Sequence, residues 1–288
     1  MENLLRPVYQ DYINDLNTLG IVITYNNGSI TDDFDVVVFI VVNDSEQLWQ
    51  VEHYEIERRT TALNIVTESL LMELINTSSY HNVAELILYG RKIFERNGFI
   101  YNLKEQLKDF PHAKRDLRKT IEFGKFIKSY SEAKALYESS QYKDANSNIL
   151  YSLHYLARLA VIEKGYYPRV TIWSQVKQID LEIYKLYEEF IEGNEEIEKR
   201  IQLMIIAMDH VISNRAKAAV RHLLDVMKEN TVWSYTDLTE LPPIISYRLY
   251  LTEIISYLVE KDIIETVLEK TKNTGVYKRK YIVKHKEH

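Results

Sequence analysis

Residues 27–38 read Asn27-Gly28-Ser29-Ile30-Thr31-Asp32-Asp33-Phe34-Asp35-Val36-Val37-Val38, and the run continues as Phe39-Ile40-Val41-Val42. A turn signal leads into acids and then into a β-branched stretch. Residues 35–42 read as a strand, and their unbroken apolar run predicts a central one covered on both faces. Side chains two apart on a strand share a face, so Asp33 and Asp35 converge while Asp32 points elsewhere. Two converging carboxylates are what a protein offers to Mg²⁺. The Gly28-Ser29 turn can present backbone N–H groups and a hydroxyl to a phosphate. The same D-x-D spacing also occurs in acidic turns that merely precede a strand.

Around this stretch the chain divides by pattern. Helical spacing of Leu4, Leu5, Val8, Tyr9, Tyr12, Ile13 and Leu16 predicts a first helix, which Gly20 can stop. Strands are expected at 21–25, 35–42, 48–56 and 60–68, and helix from about 69 to 110 with a break at Arg96-Asn97-Gly98. Helical periodicity then dominates from 114 to about 228, with helices at 115–138, 180–192 and 195–228 and a stripe of Ile149, Leu150, Leu153, Ala157 and Ala160. Beyond residue 230, Pro242-Pro243 separate two short helices, and a Lys272-Asn273-Thr274-Gly275 turn joins two strands. Short helices followed by a basic hairpin are the layout of a winged helix. The expected fold is α+β: a mixed-sheet domain over 1–110, an all-α bundle over 111–229 and a winged helix over 230–288.

Composition narrows the classes. The 288 residues contain no cysteine, which excludes disulfides, thiolate metal sites and a Cys nucleophile. No run of about eighteen apolar residues exists, and the acidic start lacks the apolar core of a secretory signal, so a cytoplasmic protein without a membrane partner is expected. Residues 1–70 hold twelve acids against three arginines, a balance of −9 without one lysine. Residues 263–288 hold seven bases against three acids. The two ends are therefore expected to meet different partners.

The order helix, strand, Gly-Ser, D-x-D strand, hairpin and helical domain resembles the nucleotidyltransferase superfamily, in particular kanamycin-type nucleotidyltransferases. Asp32-Asp33-Phe34-Asp35 matches the family's metal-binding edge, and TALNIVTESLLMEL its next strand and helix. With its C-terminal module, the whole chain resembles an uncharacterised bacterial nucleotidyltransferase-like family. The motifs LRPVYQ, DDFDVVVFIVV, LHYLARLAVIEKG and QVKQIDLEIYKLYEE carry that likeness. The resemblance implies a fold, Mg²⁺ at Asp33 and Asp35 as catalytic and metal-binding pair, and a nucleoside triphosphate held by Gly28 and Ser29. It also implies a homodimer. The reaction would move a nucleoside monophosphate onto a hydroxyl, with metal ions bridging the triphosphate.

Three departures shape the functional expectation. Only Ile30, Thr31 and Asp32 separate the Gly-Ser from Asp33. The strand that supplies a third carboxylate in the family shows Ala62 and Asn64, leaving Glu52 or Glu55 as substitutes. No lysine precedes Lys92, so only Arg58, Arg59 and Arg91 could meet a triphosphate. These point to a degenerate or inactive scaffold that binds a nucleotide or partner and carries a regulatory winged helix. The alternatives are an active Mg²⁺-dependent transferase and a HEPN-type ribonuclease.

Further candidates lie in the helical region. Glu163 is placed to act as a general base, His154 reads as a packed histidine, and Trp173 could stack a base or lie in the core. Arg215 and His222, seven apart on one expected helix, resemble the R-x(4–6)-H element of HEPN ribonucleases. In the hairpin, Lys278 and Lys280 share one face and Arg279 the other, a pattern that could contact DNA phosphates.

Overall fold

The structure is a computed structural model that describes residues 2–26, 34–77, 81–108 and 112–284. Its packing divides the chain into two compact units, Met1–Pro111 and His112–His288. The sequence pattern marks a boundary near 229 as well. Across that point the second unit keeps a single hydrophobic core.

In the first unit, α1 (Glu2–Asn14) precedes β1 (Thr18–Tyr25), β2 (Val36–Val42), β3 (Trp49–Ile56) and β4 (Arg59–Thr67). Then come α2 (Glu68–Thr77), α3 (His81–Tyr89), β5 (Arg91–Glu95) and α4 (Phe99–Lys108). The sheet order is β3-β4-β2-β1-β5. β2 and β4 run parallel and every other pair is antiparallel. All seven residues of β2 are buried, as a strand flanked on both edges and covered on both faces requires. Val36, Val38, Ile40 and Val42 pack with Leu5 and Tyr9 of α1, while Val37 on the other face packs with Ala62 and with Leu86 of α3. The β3–β4 turn is tight, with Glu57 and Arg58 both at positive φ (49° and 64°).

Two expectations are corrected here. Gly20 does not stop the first helix, which ends at Asn14; it lies within β1. A Cβ there would stand 2.4 Å from Ile100 Cγ1 of α4, so the glycine serves close helix–strand packing. The expected helical stretch 69–110 also contains β5, an edge strand paired with β1.

The second unit comprises α5 (His112–Glu138), α6 (Tyr142–Glu163), α7 (Ile172–Ile179), α8 (Leu181–Glu192), α9 (Ile197–Ala219) and α10 (Arg221–Met227). They are followed by β6 (Trp233–Ser234), α11 (Tyr235–Glu240), a 3-10 helix (Pro242–Tyr250), α12 (Leu251–Glu260), β7 (Ile264–Lys270) and β8 (Tyr277–Val283). The small sheet runs β6-β8-β7, which with the short helices makes a winged helix. The helix expected over 195–228 is broken at Val220 (φ −95°, ψ 18°) into α9 and α10.

The long helix α5 ties this unit together. Phe123 meets Tyr257 of α12 edge-on at 5.7 Å. Gly124 lets the backbones approach: a Cβ there would stand 2.7 Å from Tyr250 Cβ and 3.0 Å from Ile254 Cδ1. Two residues before Gly124, the buried Glu122 carboxylate lies 3.2 Å from the buried Arg158 guanidinium of α6. Overpacking a close contact costs about 1–3 kcal/mol, so Gly124→Leu should lower the unfolding free energy by about that much. Gly124→Ala, which gains about 1 kcal/mol of helix propensity, should lie nearer to wild type. Urea unfolding measures both, and unchanged midpoints would show that α12 does not rest on α5.

Candidate functional site

Asp35 stands immediately before β2, exposed, at the end of a strand that is otherwise sealed. The β2–β4 register pairs Val36 with Thr61, which sets Asp35 opposite Thr60. Thr60 donates to Asp35 Oδ2 from its backbone N–H (2.8 Å) and from its hydroxyl (3.1 Å). The same hydroxyl accepts from the Asp35 N–H at 3.1 Å. No described residue hydrogen-bonds to Oδ1. Gly28, Ser29 and Asp33, the other expected site residues, lie outside the described residues.

Register also identifies the neighbours on Asp35's face. Alternation along β4 places Thr60, Ala62 and Asn64 there. Ala62 is buried in an apolar cluster with Val37 and Leu86, against which Phe34 packs, and the Phe34 ring lies 4.6 Å from that of His53. Asn64 Oδ1 accepts from the Trp49 indole N–H at 3.1 Å. Neither position supplies a carboxylate. Glu52 is paired with Leu63 and so faces the opposite side. There it accepts from Tyr54 Oη and from Gln50 (2.7 Å). The Tyr12 phenol of α1 is pushed up first by burial and then by the Glu52 charge. Glu55 is paired with Thr60 and shares Asp35's face, two strand spacings away, about 10 Å.

Mg²⁺ delivered with a triphosphate needs one or two carboxylates, with phosphate oxygens and waters completing its octahedron. Asp35 Oδ1 fits that demand. A second ion clamped between attacking and leaving oxygens would need a further carboxylate near Asp35, and the strand offers Thr60, Ala62 and Asn64. Among the described residues no group of three His, Cys, Asp or Glu could hold a metal. Lys92, the first lysine of the chain, is paired with Glu95.

In the second unit the helical candidates are engaged structurally. Arg215 Nη1 donates to Glu163 at 2.7 Å, and its Nη2 donates to Asp180 at 2.8 Å. Asp180 also caps α8 by accepting from the Ile183 N–H. One guanidinium thus joins the end of α6, the start of α8 and α9. Glu163 is consequently no open base: burial raises its carboxyl, and Arg215 opposes the rise. His222 stands on α10 beyond the Val220 break, so it shares no continuous helix with Arg215. Its Nδ1 lies 3.0 Å from Tyr247 Oη. The HEPN-like pair is therefore separated, each member bound elsewhere. Trp173 stacks on Tyr187 at 3.7 Å and 11° and packs against the core, so its stacking partner lies within the chain. His154 is half-buried, and burial lowers its imidazole.

The winged helix leaves little basic surface on the helix that would enter a groove. The outer face of α12 shows Thr252, Ser256 and Glu260, with Glu253 beside them. Bases concentrate on β8 instead. Lys278 is exposed, Arg279 donates to Thr266 (3.4 Å) and Lys280 to Glu269 (3.1 Å). Among the described residues no helix is long and apolar enough to cross a membrane.

The mixed sheet with its strand-end aspartate, the helical bundle and the winged helix define a nucleotidyltransferase-like protein with a C-terminal helix-turn-helix. Residues 1–115 match the family described as Nucleotidyltransferase-like, residues 116–215 the YgxA-like substrate binding domain and residues 221–283 a helix-turn-helix domain. The chain belongs to the family of the Bacillus subtilis (strain 168) protein described as "Uncharacterized protein YgxA". The two are 37% identical over 287 residues, covering 99% of this chain and 98% of that one. The crystal structure of a nucleotidyltransferase-like protein from Exiguobacterium sibiricum 255-15 is also similar. It superposes with a TM-score of 0.80 at 29% identity, over 98% of this chain and 99% of that one.

Two outcomes test the structural roles. Fully buried ion pairs broken on one side cost about 3–5 kcal/mol. Arg215 and Glu163 are each about one-fifth exposed, so Arg215→Ala should cost about 2–3 kcal/mol after discounting for solvent. A thermal melt unchanged by the substitution would return Arg215 to the list of functional residues. Burial lowers the His222 imidazole, against the opposing pull of Asp116 and Asp225. The unfolded chain then takes up the proton first, so stability is full above the ordinary imidazole range and is lost as pH falls through it. His222→Gln should flatten the fall in unfolding free energy between about pH 7 and about pH 5.

Proposed function

We propose that this protein binds a Mg²⁺–nucleoside triphosphate without transferring the nucleotide, and that the second unit passes the bound state on as a regulatory output. The observation that carries this reading is the face shared with Asp35, where β4 supplies Thr60, Ala62 and Asn64. Transfer requires an attacking hydroxyl to lose its proton to a group within hydrogen-bond reach. It also requires charge stabilisation on both the attacking and the leaving oxygen. A methyl, a hydroxyl and a carboxamide already bonded to Trp49 provide neither. Binding asks for less. Asp35 and Asp33 would hold the Mg²⁺ that accompanies the triphosphate, and Gly28 and Ser29 the phosphates. The ion also offsets the repulsion between a polyanion and the acidic first 70 residues.

Position 62 argues further against transfer. A carboxylate there would sit in the apolar cluster under Phe34, where an unpaired charge is costly. The apolar packing and the missing ligand thus belong to one local arrangement. The helical domain takes the partner side in this reading, consistent with the substrate-binding description of residues 116–215.

The test is calorimetric titration of ATP, CTP, GTP and UTP, each with Mg²⁺, into wild type and an Asp33→Asn/Asp35→Asn double variant. It is run beside an assay for pyrophosphate release with hydroxyl acceptors. Metal-dependent binding that the double variant loses, with no pyrophosphate above background, is expected. Pyrophosphate release that depends on Asp35 would establish an active transferase. Absence of binding at millimolar nucleotide would leave the site an inherited shell.

A further inference from the structure

Helix α8 closes with three glutamates, Glu188, Glu189 and Glu192, and no basic residue in its last turn. Negative charge at a helix C-terminus opposes the helix dipole, so this end is electrostatically unfavourable in the isolated subunit. Glu195 in the loop to α9 adds a fourth carboxylate. Among the described residues none of the four forms an ion pair. They rim a groove of about 410 Å³ whose floor is apolar, formed by Phe190, Leu203 and Met204. Its one cation, Arg200, is turned to the Gly193 carbonyl (3.1 Å) and lies over the Phe190 ring. Leu203 on its lining and Ile206, one helical turn further along α9, are 49% and 62% exposed.

The β7–β8 hairpin has the opposite character. Lys278, Arg279 and Lys280 lie on β8, and Lys270 and Lys272 at its turn. Between these bases Leu268, Val276 and Tyr277 are about half exposed. Contacts to duplex phosphates would use the bases and leave the apolar tip without a role. A duplex would also meet Glu260 on the outer face of α12 and Glu253 beside it. An acid-rimmed groove with an apolar floor complements both features of the hairpin.

From this complementarity we propose that two copies of the chain join by exchange. The β7–β8 hairpin of each seats in the α8–α9 groove of the other. Within one chain the two surfaces are not joined by any described hydrogen bond or ion pair. A reciprocal exchange makes two identical contacts about a two-fold axis and closes the assembly as a dimer. The carboxylates at the end of α8 then face lysine and arginine, and the half-exposed apolar side chains cover one another. Because the steering charges lie at the surface, the association weakens with salt.

Sedimentation velocity of the full chain tests this with two charge-reversal variants. One carries Glu188→Lys, Glu189→Lys and Glu192→Lys, and the other carries Lys278→Glu, Arg279→Glu and Lys280→Glu. Wild type is expected to dimerise at about 0.05 M salt and to weaken towards about 0.5 M. Each variant alone should dimerise at least about tenfold more weakly, since like charges then face one another. An equimolar mixture of the two should recover the dimer, because both contacts regain opposite charges. Circular dichroism confirms that each variant is folded. A monomeric wild type, a dimer indifferent to either reversal, or a mixture of folded variants that stays monomeric would each overturn the proposal. Wild type that stays monomeric yet binds a labelled duplex through Lys278, Arg279 and Lys280 would overturn it in favour of nucleic acid.

Discussion

A strand buried on both faces and bonded along both edges can carry polar chemistry only at its ends. Strand β2 is that strand here, with seven consecutive buried residues between β1 and β4. Its interior admits no carboxylate, so Asp35 at its N-terminal end is where described chemistry can begin. The parallel register with β4 decides what surrounds it. Thr60 falls opposite and binds one oxygen, and Ala62 falls within the core cluster. The same pairing that holds the sheet together therefore limits what the site can do. A change at position 62 would be a change to the core before it was a change to catalysis.

The second unit follows a comparable rule through α5. Its residues contribute to a core shared by the bundle and the winged helix, and Gly124 accepts the start of α12 at backbone range. A glycine inside a 27-residue helix costs about 1 kcal/mol relative to alanine, a cost offset by the contact it permits. The Glu122–Arg158 pair beside it adds directional constraint, since breaking either partner would strand a buried charge. The winged helix is thus part of the bundle's packing. A signal reaching it has to shift packed helices, because the five exposed residues 228–232 between α10 and β6 join two parts of one hydrophobic core.

Much of the architecture was legible from periodicity, because β1–β4 and the long helices bury one-sided or continuous apolar patterns. The helix-turn-helix was legible from the proline pair, the turn and the basic hairpin. Strand β5 was not. Five residues are too few to establish alternation, and the strand follows Gly90 directly after a helix. The break at Val220 carries no glycine or proline, so Arg215 and His222 read as one helix face. Which of Glu52 and Glu55 faces Asp35 depends on a register that only pairing reveals. Thr60 escaped notice for the same reason: a threonine at a strand start has no signature until a neighbouring strand brings an aspartate opposite it.

Charge asymmetry along the chain also needs its structural context. The first 70 residues are the more acidic segment by count, yet four of their twelve carboxylates are already occupied. Asp15 and Asp44 accept from the turn N–H groups of Asn17 and Ser45, Asp35 from Thr60, and Glu52 from Gln50 and Tyr54. Each such bond would have to be given up, or shared, to receive a lysine, and hydrogen bonds to charged groups are worth about 1.5–3 kcal/mol. The glutamates around the end of α8 have no comparable partners among the described residues and stand against their own helix dipole. A basic, partly apolar hairpin therefore gains more there than on the more acidic sheet domain. Net charge steers an encounter; unpaired charge beside exposed apolar surface decides where it ends.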